Sequence, residues 1–456
     1  MTIDLRKFYK ATDPGKTLAV ANPEDRKYYI DFSSVRGGEI IEELKYNITF
    51  LSPDDPTCFL FTGHIGCGKS TELLRLNKEL EEEGFHVVYF ESSEDLEMED
   101  VDIVDVLLAI AYRVSQSLDK IVLEEPSKLN KLLQGVWNVL NSEVTGLKVK
   151  PPEMPGLLKL GDLGFTSENQ KLTIAFGFGE IITRVKNDEN LREKLNQHLG
   201  PKKTELLEAI NKELLEPAIA KLKLQGKKGL VVIVDNLDRI DSRPKPWGRP
   251  QQEYLFVDQG ESLSKLNCHV LYTMPLALKF SNEYGNLTQR FSEEPKVLPM
   301  VVVQQDGSDY EPGIALLRQM VLARAFPDLD EKQRLEKISE IFDSPKTLDQ
   351  LCRVSGGHVR DLLRLLNTWI QKERKFPPLS RQTLEDVIRS RFNEMTITIY
   401  DDDWELLRKV KQQKKVSGDQ GYQKLIRSRL VFEYRISNLL WFDINPILAD
   451  AKELQP

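Results

Sequence analysis

The stretch Cys58–Thr71 constrains this chain more than any other part of it. Cys58-Phe-Leu-Phe61 is a short apolar run, and Thr62-Gly63-His64-Ile65-Gly66-Cys67-Gly68-Lys69-Ser70-Thr71 follows it directly. From Thr71 the pattern Glu-Leu-Leu-Arg-Leu-Asn-Lys-Glu-Leu has helical periodicity, so the segment reads as strand, glycine-rich turn and helix. Gly63, Gly66 and Gly68 allow backbone N–H groups to converge on an anion, and the positive end of the next helix points at the same place. The spacing Gly63-x-x-x-x-Gly68-Lys69-Ser70 then has a chemical meaning. Lys69 reaches the β- and γ-phosphates, the Ser70 hydroxyl ligates Mg²⁺, and residues 63–71 together cradle the polyphosphate of ATP or ADP. A second Gly-Lys-Thr, at Gly15–Thr17, has Lys10 where a phosphate loop needs glycine, and reads as a turn.

The next decisive stretch is Gly229-Leu-Val-Val-Ile-Val-Asp235-Asn236-Leu237-Asp238-Arg239. It reads as a buried strand that delivers a carboxylate to the phosphate edge of the sheet, which makes Asp235 the direct or water-mediated partner of Mg²⁺. Many ATPases place Glu immediately after that Asp to polarise the attacking water. Asn236 stands there instead and cannot take a proton near neutral pH. Asp238 is the nearest substitute, with the alternatives that it caps a helix or pairs with Arg239; Glu91, closing the strand Gly84–Glu91, lies farther away. Slow hydrolysis is expected.

Around these motifs the chain reads as an α/β P-loop core with a parallel sheet flanked by helices. A strand-like piece at 29–35 precedes an Arg36-Gly37-Gly38 turn and a helix from Glu39, a segment placed to cover a nucleotide base or to serve as edge strand and helix only. Residues 119–187 interrupt the α/β rhythm as an insertion, with loop around 150–156 and an extended run at Thr173–Gly179. One long helical pattern, Leu191–Leu224, is divided by Pro201 and Pro217. Strands follow at Leu266–Pro275, with Tyr272 and Thr273 at the tip, and at Lys296–Val303. From Pro312 the pattern is helical, and paired glycines at Gly356-Gly357 start the helix that carries Arg360 in its first turn. Helix, basic helix and two apolar strands (Leu430–Tyr434, Leu439–Phe442) close the chain as a winged helix. The divisions are an arm at 1–30, the core at 31–310, a helical lid at 311–396 and a winged-helix-like domain at 397–456.

Composition limits the alternatives. A net charge of −8 over 456 residues argues against a constitutive nucleic-acid coat. The four scattered cysteines have no metal-ligand spacing and suit a reducing compartment. With no signal-peptide core and no run of membrane-spanning length, a cytoplasmic protein with no membrane partner is expected.

The order P-loop, strand to Asp-x-x-Asp-Arg, polar strand tip, helical lid with Gly-Gly-x-x-Arg and terminal winged helix resembles the AAA+ and STAND ATPases, nearest the branch that includes origin-recognition proteins. The string Asp235–Arg239 also looks like that of the KAP-type NTPases. The resemblance implies that Arg360 is the lid arginine reaching the γ-phosphate and that Thr273 holds the first sensor position. It implies that Arg290 is a finger completing a neighbouring subunit's site. With Asn236 in place of the usual acid, it favours a switch that is ADP-bound at rest and assembles with ATP. The implied partners are a nucleotide-dependent homo-oligomer and a separate effector or sensor protein, in bacterial signalling or defence. The competing reading is an initiator- or transposition-like ATPase acting on DNA through Arg408, Lys409, Lys411, Lys414, Lys415, Lys424, Arg427 and Arg429; a metabolic kinase is disfavoured by the lid arginine and the absence of substrate motifs.

Because Lys69 is the one mobile cation the loop offers to the β/γ-phosphates, Lys69→Ala is expected to abolish ATP binding. Calorimetric titration checks this, and wild-type affinity in the variant would overturn the nucleotide reading.

Overall fold

In the computed structural model of the protein, residues 3–118, 127–141, 167–373, 377–437 and 439–455 are described. The expected loop around 150–156 lies outside them. Five parallel strands form the central sheet: β1 (Cys58–Gly63), β2 (His86–Glu91), β3 (Leu230–Asp235), β4 (His269–Met274) and β5 (Lys296–Leu298), in the order β2-β3-β4-β1-β5. Both faces are covered, so β3 and β4 are buried at every position and read as unbroken apolar runs rather than alternating ones. β4 separates the P-loop strand from β3, and Asp235 ends beside Glu91 of the edge strand β2. All functional ends therefore meet at one edge of the sheet.

One face packs on the helix Ile103–Ser117, which is capped by Asp102 and carries a wide apolar surface. The helices Ser127–Leu140 and Ser167–Asn187 extend this core, so the described part of the insertion is helical. Thr173–Gly179 is helix, not extended chain. Phe178, Ile181, Ile182 and Val185 are buried at helical spacing, and Gly179 lies against the Tyr112 ring. The opposite face packs on the P-loop helix Lys69–Glu82 and on Ile40, Ile41, Leu44 and Ile48.

Other elements depart from expectation for local reasons. Residues 29–35 hold a single 3₁₀ turn, Ser33–Val35, because Asp31 accepts the Ser33 amide and bends the chain. Pro201 sits in the 3₁₀ turn Gly200–Lys202 and divides the pattern there, whereas Pro217 does not. The wide π-turn Ile210–Leu215 carries the helix from Lys203–Ala209 into Glu216–Leu224, where the proline occupies the first turn. β5 stops at Leu298 rather than Val303: Pro299 follows, and the Met300 amide donates to Glu433 of the C-terminal domain instead of to the sheet.

A third core joins the lid helices (Glu311–Ala325, Pro345–Val354, Val359–Lys372, Arg381–Thr396) to the C-terminal domain. That domain has the expected winged-helix-like order: helices Asp401–Gln413 and Gln420–Arg427, then the antiparallel pair β8 (Val431–Ile436) and β9 (Leu439–Ile444). A small hairpin, β6 (Gln304–Gln305) and β7 (Ser308–Asp309), precedes the lid. The N-terminal arm belongs to the lid core as well. Phe8 is buried in it, and Arg324 donates to the Tyr28 carbonyl at 2.6 Å. Farther on, Arg36 forms a buried 2.6 Å ion pair with Glu72 and donates to the Cys67 carbonyl, which ties this segment to the back of the P-loop.

The start of the Val359–Lys372 helix is fixed by Gly357, at φ +74°, where a Cβ would collide with the Val301 carbonyl. Gly357→Ala is expected to cost about 3 kcal/mol or more, a combination of strained backbone and steric displacement. Urea denaturation read against the wild type checks it.

Candidate nucleotide-binding site

The chain leaves β1 at Gly63 and enters the helix at Lys69, and the loop between opens on a cleft. The floor is Ile65, Gly66 and Gly68 through Thr71; Asn236, Asp238 and Arg239 form one wall and Val359, Arg360 and Leu363 another. Pro14, Lys16 and Thr17 of the arm complete it. The residues over the cleft are thus the discounted Gly15–Thr17 turn, not the 29–44 segment expected to cover a base. No local signal in the sequence marks them, because the arm reaches the cleft only by packing on the lid.

Lys69 is the centre of the arrangement. Its Nζ donates to the carbonyls of Gly63 (2.8 Å) and His64 (3.1 Å) and pairs with Asp238 Oδ2 at 2.9 Å. Burial opposes the charge, but Asp238 beside it, with Cys67 and Asp235, outweighs burial and holds the ammonium above the ordinary lysine range. Asp238 is thus the lysine's partner, and its second oxygen, Oδ1, accepts no hydrogen bond although it is buried. Thr273, expected at the sensor position, accepts the Asp238 amide at 3.4 Å and so bridges β4 to this turn.

Asp235 is fully buried and does not line the cleft. Its Oδ1 accepts the Asn236 amide (2.6 Å) and its Oδ2 the Tyr89 hydroxyl (2.7 Å). The Asn236 side chain, on a left-handed residue at φ 62°, donates to Glu91 at 2.6 Å. Tyr89 and Glu91 are neighbours that only strand pairing brings together with Asp235. Thr17, Ser70, Thr71, Asn236 and Asp238 are the oxygen-bearing side chains that line the cleft; the unpartnered Asp238 oxygen and the Ser70 hydroxyl are a donor set that fits Mg²⁺, a hard cation preferring oxygen.

His64 and Cys67 belong to the loop but turn away from the cleft. The Cys67 thiol faces the Leu298 carbonyl. His64 accepts the Glu433 amide at 3.1 Å and meets the Phe432 ring edge-on. From the lid, His358 stacks on the same ring, with centroids 5.7 Å apart. Its Nε2 donates to the Ile65 carbonyl at 2.9 Å and its Nδ1 accepts the Asp361 amide at 3.0 Å, so neutral imidazole satisfies both neighbours. Gly66, at φ +95°, makes the contact possible, since a Cβ there would stand 2.7 Å from His358 and 2.9 Å from Arg360.

Arg360 lines the cleft from the lid. Neither Asp361 nor Glu385 is its partner: Asp361 pairs with Arg364 and Arg429, and Glu385 with Arg381. Burial, then the nearby charges of Arg239, Arg364 and Arg429, lowers its pKa. Four cations, Lys16, Lys69, Arg239 and Arg360, therefore face the cleft against one carboxylate, Asp238. Arg290, in contrast, is exposed beside Gly260 and does not line the cleft.

Residues 38–244 match the KAP family P-loop domain. The chain carries a P-loop NTPase domain. The match runs from the Arg-Gly-Gly turn past the Asp235–Arg239 string and so contains the loop and β3 but not the lid arginine. Among curated proteins, none matches the chain in sequence. Solved structures similar to this chain include the Aeropyrum pernix ORC2 protein in ADPNP–ADP complexes, at 13% identity over 98% of this chain and 95% of that one, with a TM-score of 0.40. The Walker-type ATPase PABY2304 of Pyrococcus abyssi is 11% identical over 96% and 98%, with a TM-score of 0.38. The Aeropyrum pernix ORC1 protein in complex with DNA is 13% identical over 90% and 91%, with a TM-score of 0.34. No helix among the described residues is long and apolar enough to cross a membrane.

The buried His358 titrates at about 4 instead of 6.5, because burial disfavours the imidazolium. Unfolded chains bind this proton below pH 6.5 and the native state does not until about pH 4. The stability is therefore complete above pH 6.5 and falls as pH drops toward 4, by about 3 kcal/mol. His358→Asn, which can still cap the helix, is expected to flatten the fall of Tm between pH 7 and 4.5; parallel profiles for the two proteins would remove His358 from this role.

Proposed function

We propose that the protein is an ATP-binding, slowly hydrolysing switch that changes assembly state or partner binding with its nucleotide, in the manner of the AAA+ and STAND ATPases. One observation carries this reading: the cationic cleft is shared between the P-loop and the lid, with Arg360 in the wall and the lid seated on Gly66 through His358. A triphosphate bound there contacts both bodies at once, so its presence or loss biases the lid. Residues 63–71 hold the phosphates, with Lys69 turning from the Gly63 and His64 carbonyls toward them. Ser70 and Asp235 would hold Mg²⁺, Asp235 directly or through water, with the open Asp238 oxygen as a further donor; the ion would neutralise charge on the transferring phosphoryl group. Asp238 assists the attacking water. Asn236 has no proton-accepting role, and its hold on Glu91 supports slow rather than rapid turnover. Arg290, exposed on the flank, completes the site of a neighbouring copy. The same reading divides the chain into arm (1–30), core (31–310), lid (311–396) and winged-helix-like domain (397–456), acting in the cytoplasm with a separate effector or sensor protein.

The DNA-acting alternative has less support. Of its basic residues, Lys414 pairs with Asp443, Lys424 with Asp403 and Arg429 with Asp361, while Arg408 and Lys411 donate to the Glu453 and Ala449 carbonyls. Charges so engaged offer little to a phosphate backbone.

The switch is tested by measuring mass in solution with ADP and with a non-hydrolysable ATP analogue. Assembly is expected with the analogue only, and Arg360→Ala is expected to prevent it. Arg290→Ala should bind ATP but hydrolyse it about 10³-fold more slowly or worse, and mixing in Lys69→Ala subunits should restore part of the rate. Asp238→Asn should lower turnover about a hundredfold while ATP still binds. A mass that ignores the nucleotide would dismiss the switch.

A further inference from the structure

The cleft contains a second unpaired guanidinium, from the strand-end string itself. Arg239 is the last residue of the 3₁₀ turn Leu237–Arg239, and its exposed side chain lines the cleft together with Arg360. Among the described residues neither arginine has a carboxylate partner; Asp241, two positions on, is engaged with Arg243. An unneutralised pair of guanidiniums in an open cleft is electrostatically costly, and a bound polyanion relieves that cost.

The backbone fixes where Arg239 stands. Leu237 and Ile240 are buried on either side of it, Asp238 is tied to Thr273 and to Lys69, and the Asp241 amide donates to the Met98 carbonyl at 2.9 Å. The residue just before Arg239 thus touches the Nζ that serves the β- and γ-phosphates. Arg239 therefore stands one residue from the carboxylate that holds Lys69 and lines the same cleft as Gly66 and Gly68–Thr71.

We propose that Arg239 contacts the γ-phosphate within its own subunit and gives the site its preference for tri- over diphosphate. This rests on the nucleotide-binding reading above and adds a residue to it. Because the contact is in cis, discrimination does not need assembly: the isolated subunit already distinguishes ATP from ADP, and the exposed Arg290 contributes nothing to that step. Two arginines of the one cleft, from the strand-end turn and from the lid, then read the same phosphate. Arg360 reports it to the lid, and Arg239 holds it against the sheet.

The test is calorimetric titration of the full chain with ADP and with a non-hydrolysable ATP analogue, at concentrations where sedimentation shows monomer. Arg239→Ala is expected to weaken the analogue by ~10- to 100-fold, as for loss of a charge-assisted phosphate contact, and to leave ADP within about twofold. Retained ADP affinity also shows that the variant is folded. Arg239→Lys should recover part of the loss, since it keeps the charge without the fork. Equal loss for both nucleotides, or no loss for either, would overturn the proposal while leaving the nucleotide reading intact. A wild-type chain that binds neither nucleotide would remove both.

Discussion

The structure depends first on the buried ion pair of Lys69 and Asp238. A lysine with 6% of its side chain exposed cannot remain charged in that position unless its desolvation is offset. Here the offset comes from one carboxylate and two P-loop carbonyls, Gly63 and His64. The pair joins the loop after β1 to the turn after β3 across the intervening β4. Thr273, at the end of β4, completes the link by accepting the Asp238 amide. Three strand ends are therefore tied to one ammonium, and any anion that draws Lys69 away disturbs all of them together.

A second junction couples the loop to the rest of the molecule. Phe432 of the C-terminal hairpin contacts both His64 of the P-loop and His358 of the lid. Each imidazole is buried, and each makes a backbone hydrogen bond that crosses between elements. Neutral rings suit such a position because both nitrogens can be satisfied without a charge to solvate. The phosphate side of the loop faces the cleft while its back is bonded to Glu433, so loop, lid and C-terminal domain share one hydrogen-bonded contact. A tight turn like this has few ways to move, and a shift of one body must be accommodated by the other two.

The cleft has the opposite electrostatic character from the chain as a whole. The protein carries a net charge of −8, yet four of the five charged residues around the cleft are cationic. Lys16 is partly neutralised by Asp25, at 2.6 Å, whereas Arg239 and Arg360 have no carboxylate partner among the described residues. Segregation of charge by the fold, rather than composition, produces a cationic cleft in an acidic protein.

Much of this was legible in the residues. Gly63–Ser70 fixed a phosphate loop because its chemistry is local: turn, N–H groups, lysine and hydroxyl lie within one short stretch. The apolar run into Asp235 identified a central strand, and the paired glycines before Arg360 identified a helix start, for the same reason. What the sequence by itself could not determine was which side chain faces which. Asp235 reads as the foremost carboxylate, but pairing of β2 with β3 encloses it with Tyr89 and leaves Asp238 at the cleft. The arm residues Pro14–Thr17 reach the site from far along the chain, and the Phe178 region becomes helix because its apolar residues pack on Ile103–Ser117. Spacing along the chain decides local geometry, whereas the partners of a buried charge are decided by strands and domains distant in sequence, and only the tertiary structure brings those together.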